Sequence, residues 1–600
     1  MTEVVEALQR PVLKPSRAWL RALELAAESA REPHRLIFDV IEELAYRYGD
    51  SQALLSEREC FSFRELAARS SQYCRWALER GIKKGDVVGL LMTSRPEYFA
   101  LWVGISTAGG VVALLNTNIQ GSSLAHCVNV AEPKHIIVAD ELVNSLVTAI
   151  PALNCEPEIW IHGADHASFN RIDTLISNLP AALTSAERPQ LFPDDLALYI
   201  YTSGTTGLPK AAKVTHGRII HWSHWFAGML DVQPEDRMYD CLPMYHSIGG
   251  VLVPGATLVA GGSVVIRETF SAGQFWSDVV RWDCTMLQYI GEFCRYLSCT
   301  APSPNEQNHR IRIACGNGLS SDVWPEFKER FRIPQILEFY ASTEGGLSLF
   351  NVEGKPGSIG RVPPYLAHRF SPTLVRFDPE KCEPIRNDEG SCIRCAPNEP
   401  GEALARILKD PSQAGSRFEG YTDARATEKK MLRDAFEPGD VWVRTGDLMR
   451  RDAQGFYYFV DRVGDTFRWK GENVATTEVA EAILSFPGVQ HAIVYGVKVT
   501  NAEGRVGMAA VTFEGHPDLL ALRRHLIKRL PPYARPVFFM VRENCEITGT
   551  FKYSKAELAT QGFNPDSTSN AIYFDNPETQ TLQPVDHVLY ARIQSGQIRL

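Results

Sequence analysis

Runs of apolar residues alternate with amphipathic stretches along most of the chain. Continuous apolar runs indicate buried strands at 136–139, 196–201, 263–266, 311–315 and 336–340. A capping box, in which Ser62 stands three residues before Glu65, begins a predicted helix that continues to Leu78. Fully apolar strands that alternate with helices are typical of layered α/β subdomains. We therefore predict an α/β fold for the larger part of the chain.

The pattern changes after Asp461 and Arg462. A predicted helix, two strands and a second helix follow at 477–486, 489–496, 507–513 and 519–530. This order predicts a small, mobile α+β C-terminal domain at 462–600. It follows an N-terminal extension at 1–35 and a large N-terminal domain at 36–461. The boundary is short and contains Gly464, which permits a large backbone rotation, so we expect a hinge there.

Two segments could be confused with membrane segments. Residues 16–30 have the pattern of an amphipathic helix, which we expect to pack on its own domain rather than anchor the chain in a membrane. The most apolar stretch, 100–115, is shorter than a membrane span and is interrupted by two glycines, so it predicts a buried helix, a break and a strand. The N-terminus carries Glu3 and Glu6 without a long apolar run, which is not a secretory signal.

Composition narrows the class of protein further. The chain has 600 residues, of which 44% are hydrophobic and 22% charged, as in ordinary globular enzymes. A net charge of −9 without a basic run argues against a nucleic-acid partner. The 13 scattered cysteines predict reduced thiols in a cytoplasmic protein. Cys392 and Cys395 form a CxxC pair without a second pair nearby, which favours a loop with two thiols over a zinc site.

The segment Tyr201–Lys210 is the strongest chemical signal in the chain. It follows a predicted strand, and its two glycines let backbone N–H groups approach an anion. Hydroxyl groups and one ammonium group add further donors for a polyphosphate. The donor-bearing and glycine positions are Thr202, Ser203, Gly204, Thr205, Thr206, Gly207 and Lys210. It is not a Walker loop, because Pro209 stands where that pattern needs glycine. A flexible linker is disfavoured by the preceding strand and by the Pro-Lys end.

This loop resembles the phosphate loop of the adenylate-forming enzymes, which include acyl-CoA synthetases, luciferases and peptide-synthetase adenylation domains. Three further segments resemble motifs of that family in the same order. They are Tyr340–Gly345, Arg444–Asp447, and Asp461–Arg462 followed by Trp469–Gly471. The resemblance implies that the protein joins a carboxylate to the α-phosphate of ATP and releases pyrophosphate.

Family resemblance also implies residue roles. Thr343 would bond the α-phosphate, Glu344 would hold Mg²⁺ together with Thr202, and Asp447 would accept the ribose hydroxyls. The local sequence predicts a strand at 441–445, followed by a turn that contains Gly446 and Asp447. Arg462 would add a contact to ribose or phosphate, and the segment 316–319 resembles the adenine-edge segment. The remaining implied nucleotide-binding residues are Gly316, Asn317, Gly318, Tyr340, Ser342, Lys470 and Gly471.

Two further roles stay open between alternatives. The family has a C-terminal lysine that serves adenylation; Lys552 aligns best with it and Lys555 is the fallback, because Thr550 and Phe551 interrupt the usual pattern. His246 would lie beside the carboxylate as a gate or electrostatic partner, or it is a buried structural histidine.

Departures from the general pattern resemble the fatty acid transport protein and very-long-chain acyl-CoA synthetase branch. They occur at 116–118, 288–292, 468–474, 549–552 and 590–596. The branch implies a long-chain, very-long-chain or sterol-like acid, with ATP, Mg²⁺ and coenzyme A. Its acyl tunnel is expected along 221–230 and 285–291, where Gly228 and Gly291 would leave room for the chain.

Three alternative functions stay open at this point. The chain resembles a ligase for long-chain acids, but a ligase for bulky sterol-type acids or a fatty acyl-AMP ligase with another acceptor would carry the same motifs. A fatty-acid uptake or binding protein is the alternative from another class. We expect a cytoplasmic location, and leave peripheral membrane contact and a homodimer open.

Overall fold

The computed structural model describes residues 14–166, 168–202, 209–370, 372–407, 418–470, 472–500, 504–543, 555–576, 579–598 and 600. They form two compact units. The first comprises the described residues within 1–370 and 406–431, and the second those within 371–405 and 432–600. The sequence-based boundary at 461/462 lies inside the second unit, so the domain at 462–600 and its mobility stay predictions.

The first unit is built on strands of three to seven residues, apart from one shorter edge strand. In chain order they are β1 (Gln52–Leu55), β2 (Cys60–Ser62), β3 (Val87–Leu91), β4 (Val111–Leu114), β5 (His135–Ala139), β6 (Glu158–His162), β7 (Asn170–Arg171), β8 (Leu196–Thr202), β9 (Lys210–Thr215), β10 (Arg237–Asp240), β11 (Ser263–Ile266), β12 (Met286–Ile290), β13 (Ile313–Asn317), β14 (Gln335–Ala341) and β15 (Ser348–Asn351).

These strands form two sheets. The seven-stranded sheet has the order β7-β6-β5-β3-β4-β8-β9, and the eight-stranded sheet has the order β15-β14-β13-β12-β10-β11-β1-β2. Interior strands are parallel, whereas β9, β15 and β2 are antiparallel edge strands. Every residue of β3, β4 and β5 is buried, as expected for parallel strands that are covered on both faces.

Helices cover these sheets. They are α1 (Pro15–Arg31), α2 (Ile37–Tyr48), α3 (Phe63–Glu79), α4 (Pro96–Thr107), α5 (Gly121–Ala131), α6 (Val143–Ala149), α7 (Ile172–Ile176), α8 (His216–Leu230), α9 (Val253–Leu258), α10 (Phe275–Arg281), α11 (Gly291–Cys299), α12 (Val323–Arg330), α13 (Ala367–Phe370) and α14 (Ala424–Glu428). The predicted capping box begins α3, where the Glu65 N–H donates to the Ser62 hydroxyl. Likewise α4 ends before Gly109, whose φ of +91° turns the chain into β4.

Helix α1 packs on its own unit, as the amphipathic pattern predicted. Ala18, Trp19 and Ala22 are buried on its inner face. The Trp19 ring meets the rings of Trp225 in α8 and Phe350 in β15, at centroid distances of 5.9 and 5.7 Å. No helix among the described residues is both long and apolar enough to cross a membrane.

The second unit is a mixture of mostly antiparallel sheets and helices. Its strands are β16 (Thr373–Val375), β17 (Phe377–Asp378), β18 (Glu383–Pro384), β19 (Gly401–Arg406), β20 (Met431–Arg433), β21 (Val441–Arg451), β22 (Tyr457–Arg462), β23 (Phe467–Trp469), β24 (Glu472–Val474), β25 (Val489–Val497), β26 (Val506–Phe513), β27 (Phe538–Arg542), β28 (Ala571–Asn576) and β29 (Thr581–Pro584). Its helices are α15 (Thr476–Leu484), α16 (Leu519–Arg529), α17 (Lys555–Gln561) and α18 (His587–Gln594).

The predicted C-terminal elements all occur. Strands β25 to β29 form one five-stranded sheet in sequence order, antiparallel except for the parallel pair β26–β27. Helices α15 and α16 begin within one residue of their predicted starts.

The thiols of Cys392 and Cys395 are both free, and among the described residues no group of three or more His, Cys, Asp or Glu could hold a metal ion.

Candidate active site

Strands β8 and β9 hold the two ends of the predicted phosphate loop. Thr202 is the last residue of β8 and Lys210 the first of β9, and the two are register partners in an antiparallel pair. The predicted phosphate-binding residues between them, Ser203, Gly204, Thr205, Thr206 and Gly207, lie outside the described residues. A hydroxyl and an ammonium group therefore stand side by side where the loop begins and ends.

Glu344 lies just beyond β14, and its carboxylate is almost buried, with 8% of the residue exposed. Its Oε1 accepts a hydrogen bond from the Tyr421 hydroxyl at 2.7 Å, and the Lys430 Nζ lies 3.5 Å from the same oxygen. The carboxylate thus has a neutral hydroxyl and one ammonium group as neighbours, and its oxygens are of the type that binds a hard cation.

Tyr421 connects Glu344 to the phosphate loop. Its ring centroid is 5.7 Å from the Lys210 Nζ, and its hydroxyl also interacts with the Thr202 side chain. Burial, followed by the neighbouring Glu344 carboxylate, raises the pKa of Tyr421, so the hydroxyl stays protonated and donates. Three predicted site residues thus gather around a tyrosine that sequence reasoning missed.

Backbone pairing explains the position of Tyr421. The segment 418–421 lies against β9, because the Lys213 N–H donates to the Gly420 carbonyl and the Thr422 N–H donates to the Ala211 carbonyl, both at 3.0 Å. Gly420 has a φ of +71°, which favours glycine. The segment has no helix or strand periodicity, so the only sequence signal was an isolated Glu-Gly-Tyr between predicted elements.

Glu419 anchors this segment to the start of α8. Its carboxylate accepts hydrogen bonds from the Thr215 N–H at 3.1 Å and the Thr215 hydroxyl at 2.5 Å. Arg218, which is 4% exposed, lies 3.6 Å from Glu419, and its Nη2 donates to the Ser342 carbonyl at 3.4 Å. Burial lowers the pKa of Arg218. Glu419 and Arg218 therefore tie the segment to the loop that carries Glu344.

The loop after β14 also meets the segment that carries His246. Tyr340 lies in β14, and the Ser342 hydroxyl donates to the Gly345 carbonyl at 2.8 Å. The hydroxyls of Thr343 and Ser247 are 3.2 Å apart. Since His246 precedes Ser247 and is only half-buried, its segment lies beside the predicted α-phosphate ligand. The role of His246 beside the carboxylate stays a prediction.

The adenine-edge segment is placed differently from its prediction. Strand β13 runs from Ile313 to Asn317, so Gly316 and Asn317 end the strand instead of following it, and Gly318 forms the turn with a φ of +81°. The predicted strand at 311–315 therefore ends two residues before the observed strand. Asn317 Oδ1 is buried and has no hydrogen-bond partner among the described residues. It can accept a hydrogen from an amine such as the exocyclic amine of adenine.

Asp447 and Arg462 are directly paired in the second unit. They are register partners across the antiparallel strands β21 and β22. Asp447 was predicted in a turn after a strand at 441–445, which is wrong, because β21 continues through it to Arg451. The predicted turn glycine, Gly446, has a φ of +77° inside the strand. The predicted ribose ligand Asp447 and the predicted ribose or phosphate ligand Arg462 thus stand next to each other.

The predicted hinge is closely hydrogen-bonded on one side. Asp461 is buried, and its carboxylate accepts from the Thr476 N–H at 2.6 Å and from the Thr466 hydroxyl at 3.2 Å. Gly464 has a φ of +92°, and a side-chain carbon built on it would meet no atom within 4 Å. Backbone freedom at Gly464 therefore agrees with a hinge, although the hinge itself stays a prediction.

The lysines near the C-terminus are only partly described. Lys470 is exposed at the turn between β23 and β24, with its Nζ 5.6 Å from the Trp469 ring centroid. Gly471 and Lys552 lie outside the described residues. Lys555 begins α17, and its Nζ contacts Asp465 Oδ2 at 2.9 Å and the Thr476 hydroxyl at 2.8 Å. Lys555, the fallback for the adenylation lysine, is thus engaged beside the predicted hinge.

Gly228 and Gly291 leave no room for an acyl chain, contrary to prediction. A side-chain carbon on Gly228 would lie 2.6 Å from the backbone of Ala22 in α1. On Gly291 it would lie 1.7 Å from the Gly318 carbonyl oxygen. Each glycine serves close packing of two backbones, because only glycine allows that approach.

The family model for AMP-binding enzymes matches residues 41–381, and the model for the AMP-binding enzyme C-terminal domain matches residues 478–552. The chain therefore belongs to the AMP-binding enzyme family, as its motifs predicted, and it has the larger N-terminal and smaller C-terminal domains of an adenylate-forming ligase.

Relatives identify the branch. Long-chain fatty acid transport protein 1 of Mus musculus is 38% identical over 572 residues, which cover 94% of this chain and 88% of that protein. Long-chain fatty acid transport protein 2 of Rattus norvegicus is 36% identical over 591 residues, covering 96% and 94%. Within the family, the chain thus belongs with the long-chain fatty acid transport proteins.

Solved structures share the fold. The anthranilate CoA ligase AuaEII in complex with anthranoyl-AMP matches with a TM-score of 0.75 at 20% identity, covering 88% of this chain and 98% of that one. The O-succinylbenzoate coenzyme A synthetase MenE from Bacillus subtilis, in complex with AMP, matches with a TM-score of 0.69 at 21% identity, with the same coverage. These matches confirm the predicted α/β fold class.

Proposed function

We propose that this protein activates a long-chain or very-long-chain fatty acid to its acyl-CoA. In the first step the carboxylate oxygen attacks the α-phosphorus of ATP, and the bond to pyrophosphate breaks. In the second step the thiol sulfur of coenzyme A attacks the acyl carbon, AMP leaves and the thiol proton is released. The single observation that carries this proposal is the gathering of Glu344, Thr202 and Lys210 around Tyr421, with Lys430 beside the Glu344 carboxylate.

This arrangement fits a polyphosphate with a hard cation. Lys210 and Lys430 supply positive charge for the phosphates, and the Glu344 carboxylate and Thr202 hydroxyl are the oxygen ligands that Mg²⁺ prefers. When bound, Mg²⁺ would neutralise charge on the phosphate oxygens. Tyr421 keeps the Glu344 carboxylate oriented by its hydrogen bond. Asn317 offers an acceptor for adenine.

Other roles follow from the motifs. Thr343 is assigned to the α-phosphate and the Ser203–Gly207 loop to the outer phosphates. Asp447 and Arg462 are assigned to ribose, and Lys552 to the adenylation step. His246 is assigned to the carboxylate of the fatty acid.

Chain length is the finer part of the proposal. Its support is the name of the relatives, which are 36–39% identical to this chain. Each buried methylene contributes about 0.8 kcal/mol, so a long apolar tail dominates binding wherever a site encloses it. A sterol-like acid is the second candidate, because a bulky apolar acid would gain from the same burial. We also propose a cytoplasmic location, with peripheral contact to membranes that hold the fatty acid.

An acid panel tests the proposal. We expect CoA-dependent release of AMP and pyrophosphate with acids from C4 to C24, with the highest kcat/KM above C12. Lys210→Ala is the inactive control. An optimum below C8 would contradict the long-chain proposal. Release of pyrophosphate without formation of acyl-CoA after CoA is added would favour an acyl-AMP ligase with another acceptor. Binding of the fatty acid without release of pyrophosphate would favour an uptake protein.

A further inference from the structure

Glu338 in β14 is fully enclosed, and no predicted role accounts for it. It is 2% exposed and lies next to Gly316 of β13, its register partner in the parallel sheet. Gly316 is in turn the register partner of Tyr289 in β12. The three residues therefore stand side by side on one face of the sheet, because register partners in parallel strands point the same way.

Glycine in the middle of this row lets the two outer side chains meet. A side-chain carbon on Gly316 would lie 2.5 Å from the Tyr289 ring, so any larger residue would displace that ring. The Tyr289 hydroxyl passes over Gly316 and contacts Glu338 Oε2 at 2.5 Å. One oxygen of the carboxyl group is thus occupied within the sheet.

The other oxygen holds the adenine-edge loop. Glu338 Oε1 accepts a hydrogen bond from the Gly318 N–H and a second from the Leu319 N–H at 3.2 Å. Gly318 is exposed and Leu319 is buried, so these two N–H groups mark the point where the loop turns from the surface into the protein. Gly291 supports the loop from α11, close to the Gly318 carbonyl.

We propose that Glu338 is a positioning residue for the nucleotide: by holding the N–H groups of Gly318 and Leu319, it fixes the loop of Gly316, Asn317 and Gly318 in the shape that binds adenine. This inference rests on the proposed function, since it deepens the assignment of that loop. Glu338 itself does not contact the nucleotide. Its effect passes through the backbone that carries Asn317 Oδ1, the acceptor assigned to the exocyclic amine.

The hydrogen-bond pattern indicates which substitution should preserve the role. Burial raises the pKa of Glu338 to about 8, and Oε1 can accept from both N–H groups in either protonation state. Oε2 accepts from the Tyr289 hydroxyl when the carboxyl group is ionised, and its O–H would donate to that hydroxyl when it is protonated. Glutamine reproduces this arrangement with its carbonyl oxygen and its amide hydrogen. Methionine has a similar size and no acceptor of comparable strength, so it would leave both N–H groups without a partner.

Equilibrium ATP binding to the full-length chain, measured by calorimetry without acid or CoA, tests the role. We expect Glu338→Met to raise the Kd for ATP at least about tenfold, and Glu338→Gln to keep it within about threefold. In steady-state assays the Met variant should raise KM for ATP, leave KM for the fatty acid unchanged, and lose part of its preference for ATP over GTP. Tyr289→Phe, which leaves Oε1 in place, should resemble wild type.

Several results would overturn the inference. The Met variant would have to bind ATP like wild type, or the Gln variant would have to bind ATP as weakly as the Met variant. An equal rise in KM for ATP and for the acid would have the same consequence. If the Met variant does not fold, Glu338→Asp decides, because its shorter side chain withdraws the oxygen and should weaken ATP binding likewise; unchanged binding by the Asp variant would then overturn the role. A wild-type protein that releases no pyrophosphate would refute the proposed function instead.

Discussion

At the scale of single residues, the orientation of the Glu344 carboxylate depends on Tyr421. A carboxylate that is 8% exposed would be costly to keep charged without partners, and the Tyr421 hydroxyl and the Lys430 ammonium supply them. Without the tyrosine the carboxylate still has the Lys430 ammonium beside it but loses the hydrogen bond that fixes its direction. Removal of charge and removal of orientation can therefore be separated by two substitutions.

Glu344→Gln should lower turnover by about 10²-fold and raise the Mg²⁺ concentration needed for half-maximal rate, because an amide is a poorer ligand for a hard cation. Tyr421→Phe keeps the carboxylate, so it should lower turnover less and shift the Mg²⁺ requirement little. Titration of pyrophosphate release with Mg²⁺ at constant ATP measures both. An unchanged Mg²⁺ dependence in the Gln variant would remove the metal role from Glu344.

Glu338 should make stability depend on pH. Burial raises its pKa from the ordinary 4.5 to about 8, so the folded protein favours the protonated form. Its contribution to stability is complete below pH 4.5 and is lost as the pH rises toward 8, by at most about 5 kcal/mol. The Tm of wild type should therefore fall more between pH 5 and 8 than the Tm of Glu338→Gln. Parallel Tm curves for the two proteins would contradict this.

At the scale of elements, apolar runs predicted the positions of strands correctly, whereas a glycine led to the wrong prediction of a turn. The runs at 136–139, 196–201 and 263–266 became β5, β8 and β11 with ends that differ by at most one residue. Gly446 was interpreted as a turn, yet it lies within β21, because a positive φ serves both a turn and an irregular strand. Only the partner strand β22 distinguishes the two, and sequence does not reveal it.

The prediction for Gly228 was wrong for a similar reason. The space beside a glycine in a helix can stay open, or a neighbouring segment can fill it. Gly228→Ala should destabilise the protein by about 1–3 kcal/mol, because the new methyl group would press on the α1 backbone at Ala22. Gly273→Ala is the matched control, with nothing within 4 Å of the added carbon. Equal Tm values for the two variants would contradict close packing of α1 on α8.

At the scale of the whole molecule, sequence predicted the family and the fold class, but not the long-range contacts that surround the candidate site residues. Four motifs pointed to residues that the structure gathers or pairs, such as Thr202 with Lys210 and Asp447 with Arg462. Tyr421 and Glu338 escaped detection because their roles depend on neighbours more than 15 residues away in sequence, brought close by strand pairing and loop packing. The two compact units likewise each combine segments that are distant in sequence.

The last prediction separates the two lysines by their half-reactions. Lys552→Ala should slow formation of acyl-AMP by about 10²–10³-fold, while transfer of supplied acyl-AMP to CoA continues, because only the first step develops charge that this lysine would stabilise. Lys555 binds Asp465 and Thr476 beside the predicted hinge, so Lys555→Ala should lower both half-reactions together and reduce Tm. Separate assays of pyrophosphate release and of CoA-dependent consumption of acyl-AMP measure each step. If Lys555→Ala alone abolishes adenylation and spares thioester formation, the catalytic lysine is Lys555, and its contacts with Asp465 and Thr476 belong to one stage of the cycle.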